Sequence, residues 1–404
     1  MTVGLFNSAL FTQDLAKKSF AGMITRLMPN GAAPLFGMTS MLNADTALQM
    51  EHGFFTKTMV FPSFQCTAAG QLIGDTLFTG LNTANLLAGM IMRVDTTGEN
   101  VIINSVLGPT QISVQRAVGT VAAAAVGASV NLFMIGNAYE EGSLRPSALA
   151  INPVRITNFT QIFRNTWALA DSVRATQMIA GDTNVAENRQ DCAAFHAADI
   201  EKALFWGQKF LGSRNGQSFH TMDGLINIIT ANAAANVTTL GATTTYTQLE
   251  AALDPCFNVA TNPQVANERI LFCGGIMHRL LNNIGRLNGT YFISDGQTSY
   301  GLQFGSFKIA RGTFRIIEHP LFNAFGPTST WAKMAVAVDL TTFNLAYLGD
   351  RKTQNREFNT DGDPEATDNG IDAVGGTLTT EVTCLVKNPP ANGVLFNATA
   401  AAVG

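Results

Sequence analysis

The fold is decided by residues 182–212, which read DTNVAENRQDCAAFHAADIEKALFWGQKFLG. Small and apolar residues recur in this segment at steps of three and four, which places them on one face of a helix. These residues are Ala193, Ala197, Ile200, Leu204, Gly207 and Leu211. Asp182, Thr183 and Asn184 offer N-cap oxygens, and Gly212 suits the position just after a helix end. The segment therefore predicts one long amphipathic helix.

The composition favours a chain whose surface is covered by other copies of itself. Only 13% of the 404 residues are charged, while 46% are hydrophobic, and an average soluble domain has about 25% charged residues. The length is sufficient for two or three packed units. A net charge of -4 does not indicate the basic surface that is typical of proteins that recognise nucleic acid.

Neither a membrane span nor an export signal is predicted. The most apolar uncharged run, residues 117–136, is mostly alanine and valine with polar interruptions, whereas a span needs about 20 strongly apolar residues. Residues 1–10 lack a basic stretch followed by an apolar core. The five cysteines form no CxxC pair, which favours reduced thiols in a cytoplasmic setting.

Before the long helix, the sequence predicts an extended and β-rich region. Residues 1–50 contain proline and glycine residues that interrupt helices, and few apolar residues that could form a core of their own. This pattern indicates an arm that packs on another part of the chain or on another subunit. Alternation predicts a strand over residues 54–64, and short β-rich runs with glycine turns predict an inserted sandwich or barrel over residues 76–148. Residues 152–176 are interpreted as a long hairpin-like excursion.

After the long helix, the sequence predicts a mixed region and a strand-rich return. A strand, a turn and a helix follow one another over residues 270–284, an order typical of α/β and α+β domains. Strand pairs are predicted within residues 307–318 and 335–348. Residues 377–387 alternate cleanly between apolar and polar side chains, which predicts a final strand.

The sequence predicts no catalytic, metal or cofactor site, and hence no enzyme. It contains none of the motifs GxGxxG, GxxxxGK[ST], HExxH and GxSxG. Cys192 and His196 could supply two ligands, but a zinc site needs more, so we interpret them as core residues. An acidic run lacks the spacing and terminal glutamate of a calcium-binding EF-hand, which indicates a solvated loop. Its carboxylates include Asp361, Asp363, Glu365 and Asp368.

Several short runs of sequence extend together over nearly the whole chain. The runs are ENV at 99–101, VQRAVGT at 114–120, NAYEEGS at 137–143, NFTQIFR at 158–164, IEKALFWG at 200–207, and the closing strand with Lys387, Asn388 and Gly393 after it. Taken in order, these runs resemble the major capsid proteins of tailed bacteriophages, in the branch with a β-rich insertion before the long loop.

This resemblance implies the Hong Kong 97-type capsid fold, an α+β fold with a long spine helix, an axial domain, an extended loop, an N-terminal arm and an inserted β-barrel or sandwich domain. It also implies the boundaries of these parts. They are the N-terminal arm 1–50, the peripheral-domain entry 51–75, the inserted β-domain 76–148, the extended loop 149–180, the spine helix 181–218, the axial domain 219–332 and the return strands 333–404.

The function implied by the resemblance is that of a structural major capsid protein, which self-assembles into the icosahedral head shell around phage genomic DNA. The implied partners are other copies in hexamers and pentamers, double-stranded DNA held without sequence specificity, and a portal, scaffold or decoration protein. No membrane or cofactor is expected, and assembly is expected in the host bacterial cytoplasm before the protein resides in the virion. The candidate contacts between subunits are Asn158, Gln161, Arg164, Arg174 and Arg311.

Three other functions are compatible with parts of the sequence. An encapsulin-type bacterial nanocompartment would share the fold and package cargo enzymes instead of DNA, although the inserted β-domain and the long arm favour a virion. An enzyme with a β-rich regulatory module would need a catalytic constellation that the sequence does not display. A cell-surface β-adhesin would need an export signal.

Overall fold

A computed structural model describes most of the chain outside its N-terminal segment. The described residues are 33–42, 44–57, 61–67, 70–148, 152–176, 184–258, 268–288, 297–299, 302–326, 328–358 and 373–399. Most of the predicted N-terminal arm, the N-cap candidates Asp182 and Thr183, and the acidic loop lie outside these residues.

Helices and strands are mixed along the described residues, which confirms the predicted α+β class. The helices are α1 (Pro34–Ser40), α2 (Asp171–Arg174), α3 (Asn184–Trp206), α4 (Leu225–Asn232), α5 (Tyr246–Leu253) and α6 (Gly275–Asn288). The strands are β1 (Asp45–Ala47), β2 (Glu51–Thr56), β3 (Ser63–Cys66), β4 (Leu77–Leu81), β5 (Met90–Val94), β6 (Asn100–Val106), β7 (Gln111–Gln115), β8 (Asn131–Asn137), β9 (Val154–Phe159), β10 (Gln161–Ala170), β11 (Phe210–Arg214), β12 (Gln217–Thr221), β13 (Val237–Thr239), β14 (Glu268–Cys273), β15 (Gln297–Ser299), β16 (Leu302–Ile309), β17 (Gly312–Glu318), β18 (Ala335–Val338), β19 (Phe343–Leu348), β20 (Gln354–Phe358), β21 (Ala373–Val386) and β22 (Gly393–Phe396).

The chain divides into two compact units. One consists of Met1–Phe54 together with Ile156–Gly404, and the other is the intervening Phe55–Arg155. The larger unit contains two main sheets. The smaller unit contains a closed barrel. The two units are described separately below.

A seven-stranded sheet in the larger unit has the order β13-β22-β18-β14-β17-β16-β15. Because successive residues of a strand point to opposite faces, Leu271 and Phe272 of β14 enter two different cores. Leu271 packs with residues of α5 and α6, whereas Phe272 packs with residues of α3 and α4. The sheet is therefore covered on both faces, which explains why its central strands are apolar throughout.

A five-stranded sheet is built around the long strand β21. Its order is β1-β19-β21-β10, and β20 also pairs with β21. Leu378, Val382, Cys384 and Val386 are buried on one face as predicted, but Glu381 and Thr383 of the predicted polar face are buried as well. The predicted pairing within residues 335–348 is wrong, because β18 joins the seven-stranded sheet and β19 joins this one. The return segment 333–404 is thus shared between two sheets.

The predicted long helix is confirmed over Asn184–Trp206 and is wrong at its end. Helix α3 ends at Trp206, and β11 and β12 then form a hairpin. The reason is a close backbone approach at Gly207, where an added Cβ would lie 2.6 Å from the carbonyl oxygen of Met222. The Gly224 N–H also donates to the Gly207 carbonyl over 2.9 Å. Gly207 ends the helix, and Gly212 lies within the hairpin.

The buried face of α3 is also rotated from the predicted one. Cys192, His196 and Leu204 are buried, whereas Ala193 is exposed and Ala197 is half-buried. The predicted face contained only residues that are small or apolar, but the real one includes a histidine. Polar residues enter this face because they find hydrogen-bond partners on the neighbouring strands.

The predicted excursion over residues 152–176 is not a hairpin. Strand β10 pairs over its whole length with β21, from Gln161 opposite Val382 to Ala170 opposite Ala373. Strand β9 pairs instead with β2. The apolar residues Phe163 and Trp167 of β10 are buried beneath α3, so this stretch belongs to the core of the larger unit.

The smaller unit confirms a barrel but not its predicted limits. Strands β3-β4-β7-β6-β5-β8 close on themselves, and β3 lies before the predicted start at residue 76. The predicted single strand over residues 54–64 is wrong, because β2 ends at Thr56 and β3 begins at Ser63. The interior is filled by fully buried apolar side chains. They include Phe64, Phe78, Met92, Val94, Val101, Ile112 and Leu132.

A buried ion pair anchors one side of this barrel. Glu99 is fully buried, and its carboxylate accepts hydrogen bonds from Arg116 Nε over 3.0 Å and Arg116 Nη2 over 2.6 Å. The amides of Ala117 and Ala124 donate to the same carboxylate over 3.0 and 3.3 Å. Burial by itself raises the pKa of Glu99, but these donors outweigh it and hold the pKa below its ordinary value.

The Glu99 carboxylate is expected to make barrel stability depend on pH. Because its pKa is lower in the folded state, its contribution is present above the unfolded value of about 4.3 and is lost as the pH falls through the folded pKa. Replacement of Glu99 by glutamine should lower the protection of barrel amides from hydrogen exchange at pH 7. It should also make the stability of the barrel depend less on pH in the acid range. Both effects are measured by hydrogen exchange of peptides from β5 to β7. Tryptophan fluorescence is not suitable for the barrel, because the three tryptophans lie outside this unit.

The matched control for this experiment is Glu140→Gln, which changes an exposed glutamate of the same unit. Its exchange should follow the wild type at every pH. An unchanged acid dependence in Glu99→Gln would contradict the assignment of the pH effect to this buried carboxylate.

Candidate functional site

Glu201 joins three elements where the N-terminal segment meets the core. Its side chain is 0% exposed, and it accepts the N–H groups of Leu35 over 2.9 Å and Phe36 over 2.7 Å. His319 Nε2 lies 2.7 Å from the same carboxylate, while His319 Nδ1 accepts the Leu321 N–H over 3.2 Å. The ring is therefore assigned as neutral with its proton on Nε2. One carboxylate holds α1, α3 and the end of β17 together.

The local sequence explains why α1 presents its first N–H groups to Glu201. Pro34 opens the helix, where its missing N–H costs nothing. The next N–H groups have no partner within the helix, and the helix dipole favours a negative charge beside them. Leu35 and Met38 are buried in the same core as Leu204 of α3. The contact therefore fixes α1 to the larger unit.

Sequence reasoning missed this role of Glu201. The available signal was a glutamate beside Ile200 and three residues before Leu204, on the apolar face of a long helix. A charge at such a position needs buried partners, but the sequence does not indicate that they come from residues 35, 36 and 319. Only the tertiary structure brings them together.

His196 is a core residue, as interpreted from the sequence. Its Nδ1 lies 2.7 Å from Asn165 Oδ1 and its Nε2 lies 2.7 Å from Thr380 Oγ1. Burial lowers the pKa of His196, although the charge of Asp199 opposes the shift. Cys192 is buried one turn earlier on the helix and packs near Trp167. Within the described ranges, no three potential ligands form a metal cluster.

Two of the predicted contact residues hold the chain together internally. The Asn158 side chain is buried, and its Nδ2 donates to the carbonyl oxygens of Asp223 over 3.0 Å and Cys384 over 2.9 Å. Gln161 Oε1 accepts the Met222 N–H over 3.1 Å. The Asn158 amide is therefore engaged inside the larger unit, and a role of Asn158 in contacts between subunits stays a prediction.

The three predicted arginines are exposed at separate places. Arg174 lies 3.7 Å from Asp171 in α2, and Arg311 lies 3.1 Å from Asp254. Arg164 projects from β10 on the sheet face opposite α3, as the alternation with Asn165 requires. Nothing in the single chain tests their role in contacts between subunits, which stays a prediction.

The exposed face of the five-stranded sheet forms a basic groove of about 390 Å³. We define the basic groove by the four cations Arg164, Arg351, Lys352 and Arg356. Thr377 and Thr379 of β21 form its floor, and Ile162, Gln354 and Glu357 complete its lining. Residues of β10 and β20 lie on either side of β21, so the groove follows the pairing of these three strands.

All five cysteines are free and buried. Burial raises the pKa of the Cys256 and Cys384 thiols to about 12, so neither is a nucleophile at neutral pH. No helix among the described residues is both long and apolar enough to span a bilayer.

The sequence family decides the identity of the chain. A model of the SU10 major capsid protein family matches residues 4–399. The chain belongs to the SU10 major capsid protein family. This capsid protein is also 40% identical over 401 residues to the major capsid protein of Pseudomonas phage PaMx41, covering 97% of this chain and 95% of that protein. The resemblance to phage major capsid proteins is thereby confirmed, and the protein is a subunit of a phage capsid shell.

Solved structures are more distant from this capsid protein. One from Mycobacterium phage Cain has a TM-score of 0.49 at 9% identity and covers 99% of both chains. The capsid of a native GTA particle has a TM-score of 0.46 at 11% identity, covering 98% of this chain and 100% of that one. An encapsulin complex from Synechococcus elongatus has a TM-score of 0.41 at 10% identity, covering 62% of this chain and 79% of that one. At such values the assignment rests on the sequence family.

Proposed function

We propose that the protein assembles from hexamers and pentamers into an icosahedral head shell that encloses double-stranded phage DNA. The match of the family model over residues 4–399 carries this proposal. The low charged fraction of 13% supports it, because a subunit covered by neighbours needs less solvated surface than a free monomer. In a closed shell each subunit meets several neighbours, so modest contacts add up to a stable assembly.

The two sheets of the larger unit suggest how the implied Hong Kong 97-type parts are distributed. We assign the seven-stranded sheet with α5 and α6 to the axial domain, and the five-stranded sheet with α3 to the peripheral domain. The spine helix is then Asn184–Trp206, and the barrel is the inserted domain. The N-terminal arm is the segment that joins the core at the Glu201 contact.

The proposed partners follow from the same role. The DNA would be held without sequence specificity. Because the chain carries a net charge of -4, counterions would neutralise most of the charge of the duplex. A portal, scaffold or decoration protein completes the expected set, and assembly would occur in the host bacterial cytoplasm. The role requires no catalysis, so we propose a purely structural protein.

The native mass of the purified protein tests the shell directly. Light scattering combined with negative-stain imaging should show megadalton particles of uniform diameter. A stable monomer of 43.0 kDa that resists assembly in crowded or high-salt buffer would contradict the proposal. The contents separate the two shell functions, since packaged nucleic acid indicates a virion and packaged protein indicates a nanocompartment.

Deletion of residues 1–32 is expected to leave folded subunits that no longer close into shells. Those residues precede α1, so the deletion retains the buried Leu35 and its hydrogen bond to Glu201. The urea midpoint should remain that of the wild type, while shell yield at matched concentration should fall at least tenfold. Normal shells from this variant would show that the arm is dispensable for assembly. A deletion extending to residue 40 would be a poorer test, because it also removes core residues.

A further inference from the structure

We propose that the basic groove binds the phosphate backbone of double-stranded DNA without reading the base sequence. This inference rests on the proposed function, because it gives the exposed face of the five-stranded sheet a direct contact with the enclosed genome. The charge, the hydrogen-bonding groups and the spacing of the described groove residues all suit this ligand. Counterions would still neutralise most of the duplex charge, and the groove would add fixed contacts.

Positive charge is concentrated in the groove. Four of its nine lining residues are arginine or lysine, although the whole chain has only 25 such residues among 404. Arg164, Lys352 and Arg356 are exposed, and they form no ion pair with a described carboxylate. These three cations are therefore available to an anionic ligand.

Two carboxylates at the groove are each engaged by an arginine other than these. Glu381 is 2% exposed and lies 2.6 Å from Arg351. Glu357 of the lining lies 3.2 Å from Arg189 of α3. Each pair balances one negative with one positive charge, so neither pair neutralises the three available cations.

Two rows of side chains cross this face of the sheet, and each row has one arginine and two neutral hydrogen-bonding groups. The rows consist of Arg164, Thr379 and Gln354, and of Thr166, Thr377 and Arg356. The hydroxyl groups of Thr166 and Thr377 lie 3.3 Å apart, which places both on the same face. Arginine, threonine and glutamine side chains are typical donors to phosphate oxygens in protein–DNA complexes.

The spacing of Arg164 and Arg356 suits a duplex. They lie on opposite sides of β21 and one row apart. Strands spaced by about 4.8 Å, with a rise of about 3.3 Å per residue, separate their Cα atoms by about 12 Å. Duplex DNA carries one phosphate charge per about 1.7 Å of its axis, hence about seven charges over that length. Both arginines can therefore contact phosphates of one duplex at the same time.

The composition of the lining favours duplex DNA over other anionic partners. The nine described lining residues include no aromatic residue, whereas proteins that bind single-stranded nucleic acid stack its bases on aromatic side chains. Contacts between proteins are also anchored by aromatic residues, and the lining has a single large apolar residue, Ile162. Cations and hydroxyl groups without a stacking surface are typical of contacts to the phosphate backbone.

Fluorescence anisotropy of a labelled duplex of random sequence, titrated with unassembled full-length subunits over a range of salt concentrations, tests the proposal. The double variant Arg164→Gln with Arg356→Gln should weaken binding at least tenfold at low salt, because two phosphate contacts are lost. The slope of log K against log salt concentration should be about -2.7 with three cations and about -0.9 after two are removed. This slope counts phosphate contacts, so a merely structural role of the arginines would not change it.

The matched control is Arg279→Gln with Arg286→Gln, which removes two exposed arginines of α6 and changes the net charge equally. It should bind the duplex as the wild type does. Equal affinities or equal salt slopes for the groove variant and this control would overturn the proposal. The urea midpoint of each variant is compared with that of the wild type, so that loss of folding is not mistaken for loss of binding.

Competition identifies the class of ligand. Unlabelled duplex should displace the labelled duplex at a lower concentration of charge than either polyglutamate or a single strand does. Stronger competition by polyglutamate would assign the groove to an acidic protein, and stronger competition by the single strand would assign it to unpaired nucleic acid. Either result would overturn the proposal.

Shell formation by the wild type is measured separately, so that the two failures are distinguishable. If the wild type forms no shells but the groove variant loses duplex binding, the proposed function fails and the groove contact is supported. If shells form and the groove variant binds the duplex like the α6 control, only the groove contact fails.

Discussion

Replacement of Glu201 by alanine is expected to lower the free energy of unfolding by about 3–5 kcal/mol, because each buried donor left without an acceptor costs about 1–3 kcal/mol. Three donors lose their acceptor, namely the N–H groups of Leu35 and Phe36 and the Nε2–H of His319. Helix α1 should detach first, because two of these donors belong to its first turn. Residues 34–40 should then become more accessible to protease.

Urea unfolding followed by tryptophan fluorescence measures this loss, since Trp206 and Trp331 stack with ring centroids 3.9 Å apart in the larger unit. The matched control is Lys202→Ala on the same helix. Lys202 forms an exposed pair with Asp199, and such pairs contribute about 0–1 kcal/mol. A loss in Glu201→Ala no larger than that in Lys202→Ala would contradict the anchoring role of this carboxylate.

Replacement of Arg269 by alanine is expected to cost about 3–5 kcal/mol, since it leaves the charge of a buried partner uncompensated. Arg269 is buried in β14, with Nη2 3.5 Å from Asp339 Oδ2 and Nε donating to the Ala391 carbonyl over 3.1 Å. Its guanidinium also lies 5.1 Å from the ring centroid of Phe257. The side chain thus links β14, the end of β18 and the approach to β22.

The control for Arg269 is Arg315→Ala on the neighbouring strand β17. Arg315 forms an exposed pair with Glu268 at 2.9 Å, so its removal should cost under about 1 kcal/mol. A second comparison combines Arg269→Met with Asp339→Asn, which removes both buried charges and should recover part of the loss. If this combination is as unstable as Arg269→Ala, the cost lies in packing and not in the unpaired carboxylate.

Local patterns were sufficient for the features that depend on neighbouring residues. Periodicity within a few residues indicated the position of α3, the strand pair formed by β16 and β17, and the apolar face of β21. The barrel was indicated by short β-rich runs between turns, although its first strand was assigned elsewhere. The shared order of short runs was enough to indicate the family.

Predictions of features that depend on residues distant in sequence were wrong or were not made. Helix α3 was extended past Trp206 because residues 207–211 continue the helical spacing. The chain turns there because Gly207 and Gly224 meet backbone to backbone, and no local pattern encodes a contact between residues 17 positions apart. Likewise β10 was expected to pair with an adjacent segment, but its partner β21 lies about 200 residues away in sequence.

The sequence by itself determined the α+β class, the family and the position of the main helix, because these are recorded in composition, order and local periodicity. The tertiary structure alone decided that Glu201 binds the first turn of α1 and that Asn158 is internal. It also decided that four cations from two distant stretches of chain form one groove. A side chain's charge is visible in the sequence, but its partner depends on which strands pair, and that pairing is set by packing over the whole unit.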